Sequence, residues 1–284
     1  MPNIFWYLML VIIIMPVFAA AIKKEPYILL CLWLFNSGLS YMFELVVLVI
    51  FKGYQYKPGF FQDPFEDSIF GSIFSQGISV PLAAAIAAIY KVKLPGILFI
   101  SFMLASVEEL FLSIGIYEHY WWKSFYTMIL LPMLFYLSKC WHLLLQRNSR
   151  LTFAITLYFG ISTLSISATW LATAIHPFFQ FHLGIFQEQN RDHTLGNALY
   201  CILSGVIYTM IPFSESIQKR LLAFGFLILA DVLLILNGII LLNTLIDYLS
   251  LFVIHFIMLT MAFIIKSVFV KIADVYVFRN HLSR

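Results

Sequence analysis

Residues 4–22, IFWYLMLVIIIMPVFAAAI, form an uncharged apolar stretch that ends at Lys23 and Lys24. A helix needs about 20 such residues to cross the hydrocarbon core of a bilayer, so this stretch predicts a membrane-spanning helix. Its small-residue end resembles a signal-peptidase site, but a signal peptide begins with basic residues and none precedes Lys23. We therefore expect a retained anchor whose N-terminus is translocated.

The rest of the chain repeats this pattern. Of its 284 residues, 62% are hydrophobic and 11% are charged, whereas soluble domains are about 45–50% apolar and about 25% charged. The composition excludes a soluble globular protein and predicts an all-α fold, a polytopic transmembrane helical bundle. Nine stretches are long enough to span the membrane, and they lie near residues 4–22, 27–51, 68–90, 94–116, 124–145, 151–175, 194–213, 221–243 and 247–269.

Lysine and arginine fall mainly on one side of these spans. Short cytoplasmic loops retain basic residues, and with nine spans 13 of the 17 lie on the side of the C-terminus. We therefore predict an outside N-terminus, a cytoplasmic C-terminus and a location in the cell membrane. If 194–213 were re-entrant, the alternation would fail from Lys219 onward. The basic residues assigned to the inside are Lys23, Lys24, Lys91, Lys93, Lys139, Arg147, Arg150, Lys219, Arg220, Lys266, Lys271, Arg279 and Arg284.

No charged extension or low-complexity linker interrupts the chain, so we expect a single membrane domain over residues 1–284. The basic residues are scattered, which argues against nucleic acid as a partner. Cys31, Cys140 and Cys201 each lie in an apolar run, where a thiol behaves as a small hydrophobe. The expected partners are membrane lipids and a small amphipathic or lipid ligand. No metal or cofactor is predicted, and the sequence gives no oligomeric state.

Polar residues recur along three of the predicted spans. Residues four apart share a helix face, which aligns Asn36, Ser40 and Glu44 in the second span. Ionisable groups at membrane depth are costly and mark functional sites, so we predict that these stripes line one cavity in the outer half of the bilayer. Serine and threonine also serve as ordinary packing residues between membrane helices. The other stripes are Ser101, Ala105, Glu109 and Ser113 in the fourth span, and Ser162, Ser165, Thr169, Thr173 and His176 along the sixth.

Glu108 and Glu109 are neighbours, and neighbouring residues on a helix point about 100° apart. The stripe through Ser101 and Ser113 assigns Glu109 to the cavity and Glu108 to a neighbouring helix. Asp231 and His255 also lie at membrane depth. The candidate cavity residues are Asn36, Ser40, Glu44, Ser101, Glu108, Glu109, Ser113, Ser165, Thr169, Thr173, Asp231 and His255.

The loops assigned to the outside are rich in aromatic residues. Residues 52–67 and 176–193 contain most of them, and a third turn is crowded with Tyr117, Tyr120, Trp121 and Trp122. Such rings settle at the headgroup level of a bilayer. They indicate either an interfacial belt or a lid over an outward-facing cavity.

Two resemblances to known proteins can be stated. Glu108-Glu109, Phe178-x-x-x-His182 and His193-x-x-x-Asn197 resemble the motifs of the CPBP-type intramembrane proteases, in which paired glutamates and two histidines form the catalytic site. That family places arginine where this chain has Ser113, and the second and third motifs lie only eleven residues apart, so we do not assign the chain to it.

The first half of the chain resembles uncharacterised multi-pass membrane proteins of Bacillus-type bacteria. The stretches DPFEDSIFGSIFSQGISVP and EELFLSIGIYEHYWW carry this resemblance, which implies a bacterial cell membrane but no activity. Within the chain, ELVVLVI from Glu44, ELFLSIG from Glu109 and DVLLILN from Asp231 each place an acid before an aliphatic run. This pattern is consistent with duplication of a helical hairpin.

Two functions follow from these observations. Polar stripes and protonatable carboxylates at depth favour a transporter or binding protein for a small or amphipathic solute. The alternative is an intramembrane enzyme that acts on a lipid or isoprenoid, with Glu109 as general acid or base. The sequence identifies no further catalytic residue.

Overall fold

The structure, a computed structural model, describes residues 2–242 and 244–282, with the side chains of all these except 245 and 273–282. It is 79% helical. Contacts divide the chain into two compact units, unit 1 (Met1–Thr152 and Val275–Arg284) and unit 2 (Phe153–Asp274). The expectation of a single membrane domain stays a prediction. Asn243, at the end of the predicted eighth span, and Arg284, counted among the inner basic residues, lie outside the described residues.

Ten α-helices account for most of the described residues. The first six are α1 (Ile4–Lys24), α2 (Pro26–Glu44), α3 (Pro64–Ser72), α4 (Val80–Ile89), α5 (Leu94–Ser113) and α6 (Ser124–Gln146). The remaining four are α7 (Arg150–Ile175), α8 (Gln189–Phe213), α9 (Ile217–Leu236) and α10 (Leu245–Leu282). A π-helical segment, Leu45–Ile50, extends α2, and another, Ile73–Ser79, joins α3 to α4.

Among the described residues, eight helical segments are long and apolar enough to cross a membrane, by length and composition alone. They include Gln189–Phe213, the segment for which a re-entrant alternative was considered. The predicted helical bundle of apolar, membrane-length helices is confirmed at this level. The predicted span that this criterion leaves out is α9, which has 20 residues but contains Lys219, Arg220 and Asp231.

Turn chemistry sets several helix ends. Asp63 caps α3 by accepting hydrogen bonds from the backbone N–H groups of Phe65 and Glu66 at 3.0 and 2.9 Å. Gly115 follows α5 with φ +75°, and Gly238 follows α9 with φ +69°. This left-handed conformation ends a helix and favours glycine. The predicted span 94–116 is therefore helical only to Ser113.

Four short strands, which the all-α prediction did not include, pair the connections between helices. In unit 1, β1 (Tyr54–Tyr56) pairs antiparallel with β2 (Tyr117–His119), with Tyr56 opposite Tyr117. In unit 2, β3 (Gln180–Phe181) pairs antiparallel with β4 (Ile240–Leu241). Each pair satisfies backbone groups that would otherwise need water.

The core of unit 1 has two parts. Near the strands, Tyr7 of α1 packs with Tyr56 and Phe111 and donates a 2.6 Å hydrogen bond to the carbonyl of Ile116. In the second part of the core, α4 lies between α2 and α6 and contributes the fully buried Ala84. Small residues of this kind let membrane helices approach closely.

Candidate ligand-binding site

Unit 1 contains a partly open cavity of about 280 Å³ between α1, α2, the π-helical segment Ile73–Ser79, α5 and α6. Its wall is mostly apolar, as in sites that hold small molecules. Polar groups converge on it from every element except α1. They are Ser40, Tyr54, Tyr56, Ser75, Gln76, Ser79, Glu108, Tyr117 and Thr127.

The paired strands β1 and β2 cover one end of the cavity. Because successive side chains of a strand alternate between its faces, Tyr54, Tyr56 and Tyr117 point inward and line the cavity. The outward residues of the same strands are polar, and Lys57 forms an ion pair with Glu118 there. Tyr54, Tyr56 and Tyr117 thus form a lid over this end of the cavity, with the ring centroids of Tyr56 and Tyr117 4.9 Å apart. That the lid faces the outside of the membrane stays a prediction.

The π-helical segment Ile73–Ser79 gives the cavity part of its polar wall. Ser75 and Gln76 line the cavity together with Tyr56 of the lid. Ser79 Oγ also lines the cavity and is buried, and it finds no partner among the described residues. Buried hydroxyls are normally paired, so Ser79 is a group that a ligand can satisfy. Short π-helical segments are frequent at functional sites.

Glu44 lies at the end of α2, directly behind the lid. Its Oε1 accepts a short hydrogen bond from the hydroxyl of Tyr54, and its Oε2 is buried with no partner in the described part of the chain. Burial, and then the negative charge of Glu44, raise the pKa values of Tyr54 and Tyr56 well above that of free tyrosine. Both hydroxyls therefore stay protonated near neutral pH and act as donors.

Glu108 forms the second acidic group of the cavity. Its Oε1 lies 2.8 Å from Nε2 of His119 at the end of β2, and both side chains are largely buried. A carboxylate can accept hydrogen bonds at both oxygens. Glu108 therefore keeps acceptor capacity toward the cavity beside its imidazole partner.

The prediction that Glu109 faces the cavity and Glu108 does not is wrong. Glu108 lines the cavity, whereas Glu109 is exposed on the outer face of α5. The reason is helical geometry: two steps of four residues rotate about 80° away from Ser101, while a step of seven returns to within about 20° of it. Ser113, at the far end of the same stripe, is exposed too and bonds the carbonyl of Leu110.

Other stripe residues of unit 1 are buried in packing contacts. Asn36 donates to the carbonyl of Pro81 at 3.1 Å and to Ser138 at 2.9 Å, which ties α2 to α4 and α6. Ser101 is buried, and its Oγ has no partner among the described residues. Among the stripe residues of the second span, Ser40 lines the same cavity as Glu108, and Glu44 contacts the lid of that cavity.

The stripe of the sixth span lies in unit 2. Thr169 donates to Asn197 Oδ1 at 2.7 Å, and Thr173 lies 3.0 Å from Nε2 of His193. Ser165 is buried. These residues join α7 to α8. That they share a cavity with Glu44 stays a prediction.

Asp231 and His255, treated separately in the sequence, form one buried cluster in unit 2. Oδ2 of Asp231 lies 2.6 Å from Nε2 of His255, and Nδ1 of His255 lies 2.5 Å from the Tyr208 hydroxyl. Tyr200 donates to Oδ1 of Asp231 at 2.5 Å. Every ionisable group here has a partner, as buried charge requires.

Sequence reasoning missed the tyrosines and the π-helical polar residues of the site. The tyrosines were identified only as loop aromatics, and Ser75, Gln76 and Ser79 were passed over as part of an apolar span. A run of three polar side chains inside one span is the signal that would have found them. Among the described residues, no cluster of three histidine, cysteine or acidic side chains is suited to a metal ion.

Searches against known protein families, curated proteins and solved structures found no match to this chain.

Proposed function

We propose that this chain is a multi-pass membrane protein that binds a small amphipathic molecule in the cavity of unit 1. The observation that supports this is the mixed wall of that cavity, in which apolar side chains surround Glu108, Ser79 and the hydroxyls of the lid. Small-molecule sites have this composition, a mainly apolar pocket with a few polar groups that fix orientation. The carboxylate of Glu108 makes the site suited to a ligand with a hydrogen-bond donor.

We also propose the nine-span topology, with α9 counted as a span, the N-terminus outside and the C-terminus cytoplasmic. The distribution of lysine and arginine supports this orientation. It assigns β1 and β2 to outer loops, so the ligand would enter from the outer half of the bilayer. The resemblance to Bacillus-type membrane proteins supports a bacterial cell membrane.

Native mass spectrometry of the purified protein tests the binding proposal. Val107 lines the cavity, and Leu110, on the same helix, is 44% exposed. Val107→Phe fills the cavity and Leu110→Phe adds a similar ring outside it. We expect the wild type and Leu110→Phe to carry the same small non-protein mass, and Val107→Phe to lose at least about four-fifths of it. Equal occupancy in all three, or no bound mass after incubation with bacterial membrane extract, would reject the proposal.

An enzyme is the second candidate, because a carboxylate and an imidazole lie 2.8 Å apart at the cavity wall. Such a pair can move a proton in general acid-base catalysis. Glu108 takes the role that the sequence gave to Glu109. If the protein is an enzyme, wild-type protein converts the bound species to a new mass on incubation, and Glu108→Gln holds it unchanged.

A further inference from the structure

Unit 1 and unit 2 share one order of elements. In unit 1, α2 leads through β1 to the helical stretch α3–α4, then α5, β2 and α6. In unit 2, α7 leads through β3 to α8, then α9, β4 and α10. In both, the strand before the second helix pairs antiparallel with the strand after the third.

The first connection matches residue by residue. In unit 1, Asp67 accepts hydrogen bonds from the backbone N–H groups of residues 59–61, at 2.7 to 3.0 Å. In unit 2, Asp192 accepts them from residues 183–186, at 2.6 to 3.1 Å. Each loop contains one glycine of positive φ, Gly59 at +74° and Gly184 at +71°. Asp192 follows Asp67 by the same separation as Gly184 follows Gly59.

The strand-to-helix packing matches at that same separation. A Cβ built on Gly71 would lie 2.5 Å from Cβ of Tyr56, and one built on Gly196 would lie 2.4 Å from Cβ of Phe181. The N–H of Tyr56 bonds Ser68 at 3.0 Å, and that of Phe181 bonds His193 at 3.0 Å. These pairs make Phe181 the equivalent of Tyr56.

The second connection matches as well, at a separation two residues shorter. Gly115 and Gly238 end α5 and α9 in the same conformation. The residue after each glycine accepts a 2.9 Å hydrogen bond from the strand opposite, from Lys57 in unit 1 and from His182 in unit 2. In this register Asp231 is the equivalent of Glu108. The aliphatic runs had aligned Asp231 with Glu109 instead.

Each unit therefore holds one acid in the same place, and each acid lies beside a histidine, which comes from β2 in unit 1 and from α10 in unit 2. Glu108 lies 2.8 Å from His119, and Asp231 lies 2.6 Å from His255. In unit 2 the acid has a second partner, because Tyr200 donates its hydroxyl to Asp231. The equivalent position in unit 1 belongs to the cavity.

The contacts of Tyr200 show this equivalence. Its ring lies 5.4 Å from that of Phe181, and its hydroxyl bonds Asp231. The equivalents of these two residues, Tyr56 and Glu108, both line the cavity of unit 1. Tyr200 follows Gly196 by four residues, and Ser75 follows Gly71 by four. Ser75 also lines the cavity, so a small side chain stands where unit 2 has a phenol.

We propose that the chain contains a duplicated four-helix unit and that the cavity of unit 1 takes a ring-sized apolar ligand whose hydroxyl donates to Glu108, as Tyr200 does to Asp231. This inference rests on the binding function proposed above and names the chemical class of the ligand. The carboxylate selects a donor, because a hydrogen bond to a charged group is stronger than one between neutral groups. The apolar wall selects the ring.

Fluorine NMR of the full-length protein in lipid nanodiscs tests the inference with two matched probes. 4-Fluorophenol carries the donor, and 4-fluoroanisole has the same ring with the donor methylated. We expect 4-fluorophenol to bind the wild type at least about tenfold more tightly than 4-fluoroanisole. Glu108→Leu should remove this preference.

Two tyrosine variants control for occupancy of the cavity and for general damage. Ser75→Tyr reproduces the filled state of unit 2 and should abolish binding of 4-fluorophenol. Met103→Tyr places the same ring on α5 at a residue that is 48% exposed, and it should bind as the wild type does. If Ser75→Tyr does not fold, Glu108→Leu against wild type still decides the point.

The outcomes separate this inference from the binding function. If 4-fluorophenol and 4-fluoroanisole bind equally, or neither binds, the donor-directed ligand is refuted. The binding function still stands in that case, provided that Val107→Phe removes the co-purified mass. If Val107→Phe also leaves that mass in place, both proposals fail together.

Discussion

Tyr54 is the residue on which the lid of the cavity depends most. Its hydroxyl is the donor to Glu44 Oε1, and its ring packs 5.4 Å from Tyr117 and 5.6 Å from Trp122. A buried carboxylate that loses its donor costs more than the hydrogen bond itself contributes, because its desolvation is no longer offset.

We therefore expect Tyr54→Phe to lower the free energy of unfolding by about 1–3 kcal/mol. Tyr120→Phe is the matched control, because Tyr120 is 47% exposed and its hydroxyl bonds only Gln55 among the described residues. Removing that hydroxyl should change the free energy of unfolding by no more than about 0.5 kcal/mol. Equilibrium unfolding in mixed micelles measures both. Two equal losses would show that Glu44 does not need this donor.

At this scale the sequence identified the acids but not their partners. Glu44, Glu108, Asp231 and His255 stand out because ionisable residues are rare in apolar spans. Their partners are tyrosines and a histidine from the loops or from other helices, and no local pattern connects them. The choice of Glu109 over Glu108 failed because rows of residues four apart drift around a helix.

Among the elements, β1 and β3 each pack closely against the helix that follows them. Gly71 and Gly196 let Tyr56 and Phe181 approach so closely that an added methyl group would overlap the strand. Gly225, in α9, has nothing within 4 Å of a built Cβ. Gly71, Gly196 and Gly225 can therefore be compared by the same substitution.

Gly71→Ala and Gly196→Ala should each destabilise the protein by about 1–3 kcal/mol, the usual range for overpacking. Gly225→Ala should be neutral or should stabilise it by up to about 1 kcal/mol, because alanine is the better helix former. Thermal unfolding of the three variants side by side gives the answer. Similar effects at all three positions would contradict the close contact.

Hydropathy predicted the helices well because each span is a long, predominantly apolar run. It could not predict β1 and β2, whose residues, YQY and YEH, are too few for an alternating pattern to show. The π-helical segments were missed for another reason. Both segments lie inside long apolar spans, and the extra residue per turn leaves no mark in hydropathy.

For the whole molecule, topology is the claim that an experiment can settle most directly. Gln62 and Ser149 are both exposed, and the proposed orientation places them on opposite sides of the membrane. The three native cysteines are free, with Cys31 and Cys201 buried and Cys140 partly so. A Cys140→Ala background therefore leaves little competing reactivity.

In that background, Gln62→Cys should react with a membrane-impermeant maleimide on intact cells. Ser149→Cys should react only after the cells are permeabilised. Detergent-solubilised protein, in which both sites must react, is the control. Labelling of Ser149→Cys on intact cells would overturn the orientation.

The sequence pattern suggested the proposed duplication but did not give the correct alignment of the two units. Aliphatic runs match one another by chance, whereas the true register lies in Gly59, Asp67 and Gly71 and their counterparts in unit 2. These residues are loop and contact positions, and their equivalence is visible only once their hydrogen bonds are known. The neighbouring side chains have diverged, as Ser75 and Tyr200 show.

The pairing of β1 with β2 also fixes an order of events during synthesis. β1 leaves the ribosome after α2, but its partner follows only after α3, α4 and α5 have been made. Until then the backbone donors and acceptors of β1 have no strand to bond, and the pocket beneath has no closed end. The cavity of unit 1 is therefore completed late, after Tyr117 and then α6 have been made, and a chain stalled before Tyr117 carries α1 to α5 without the closed lid.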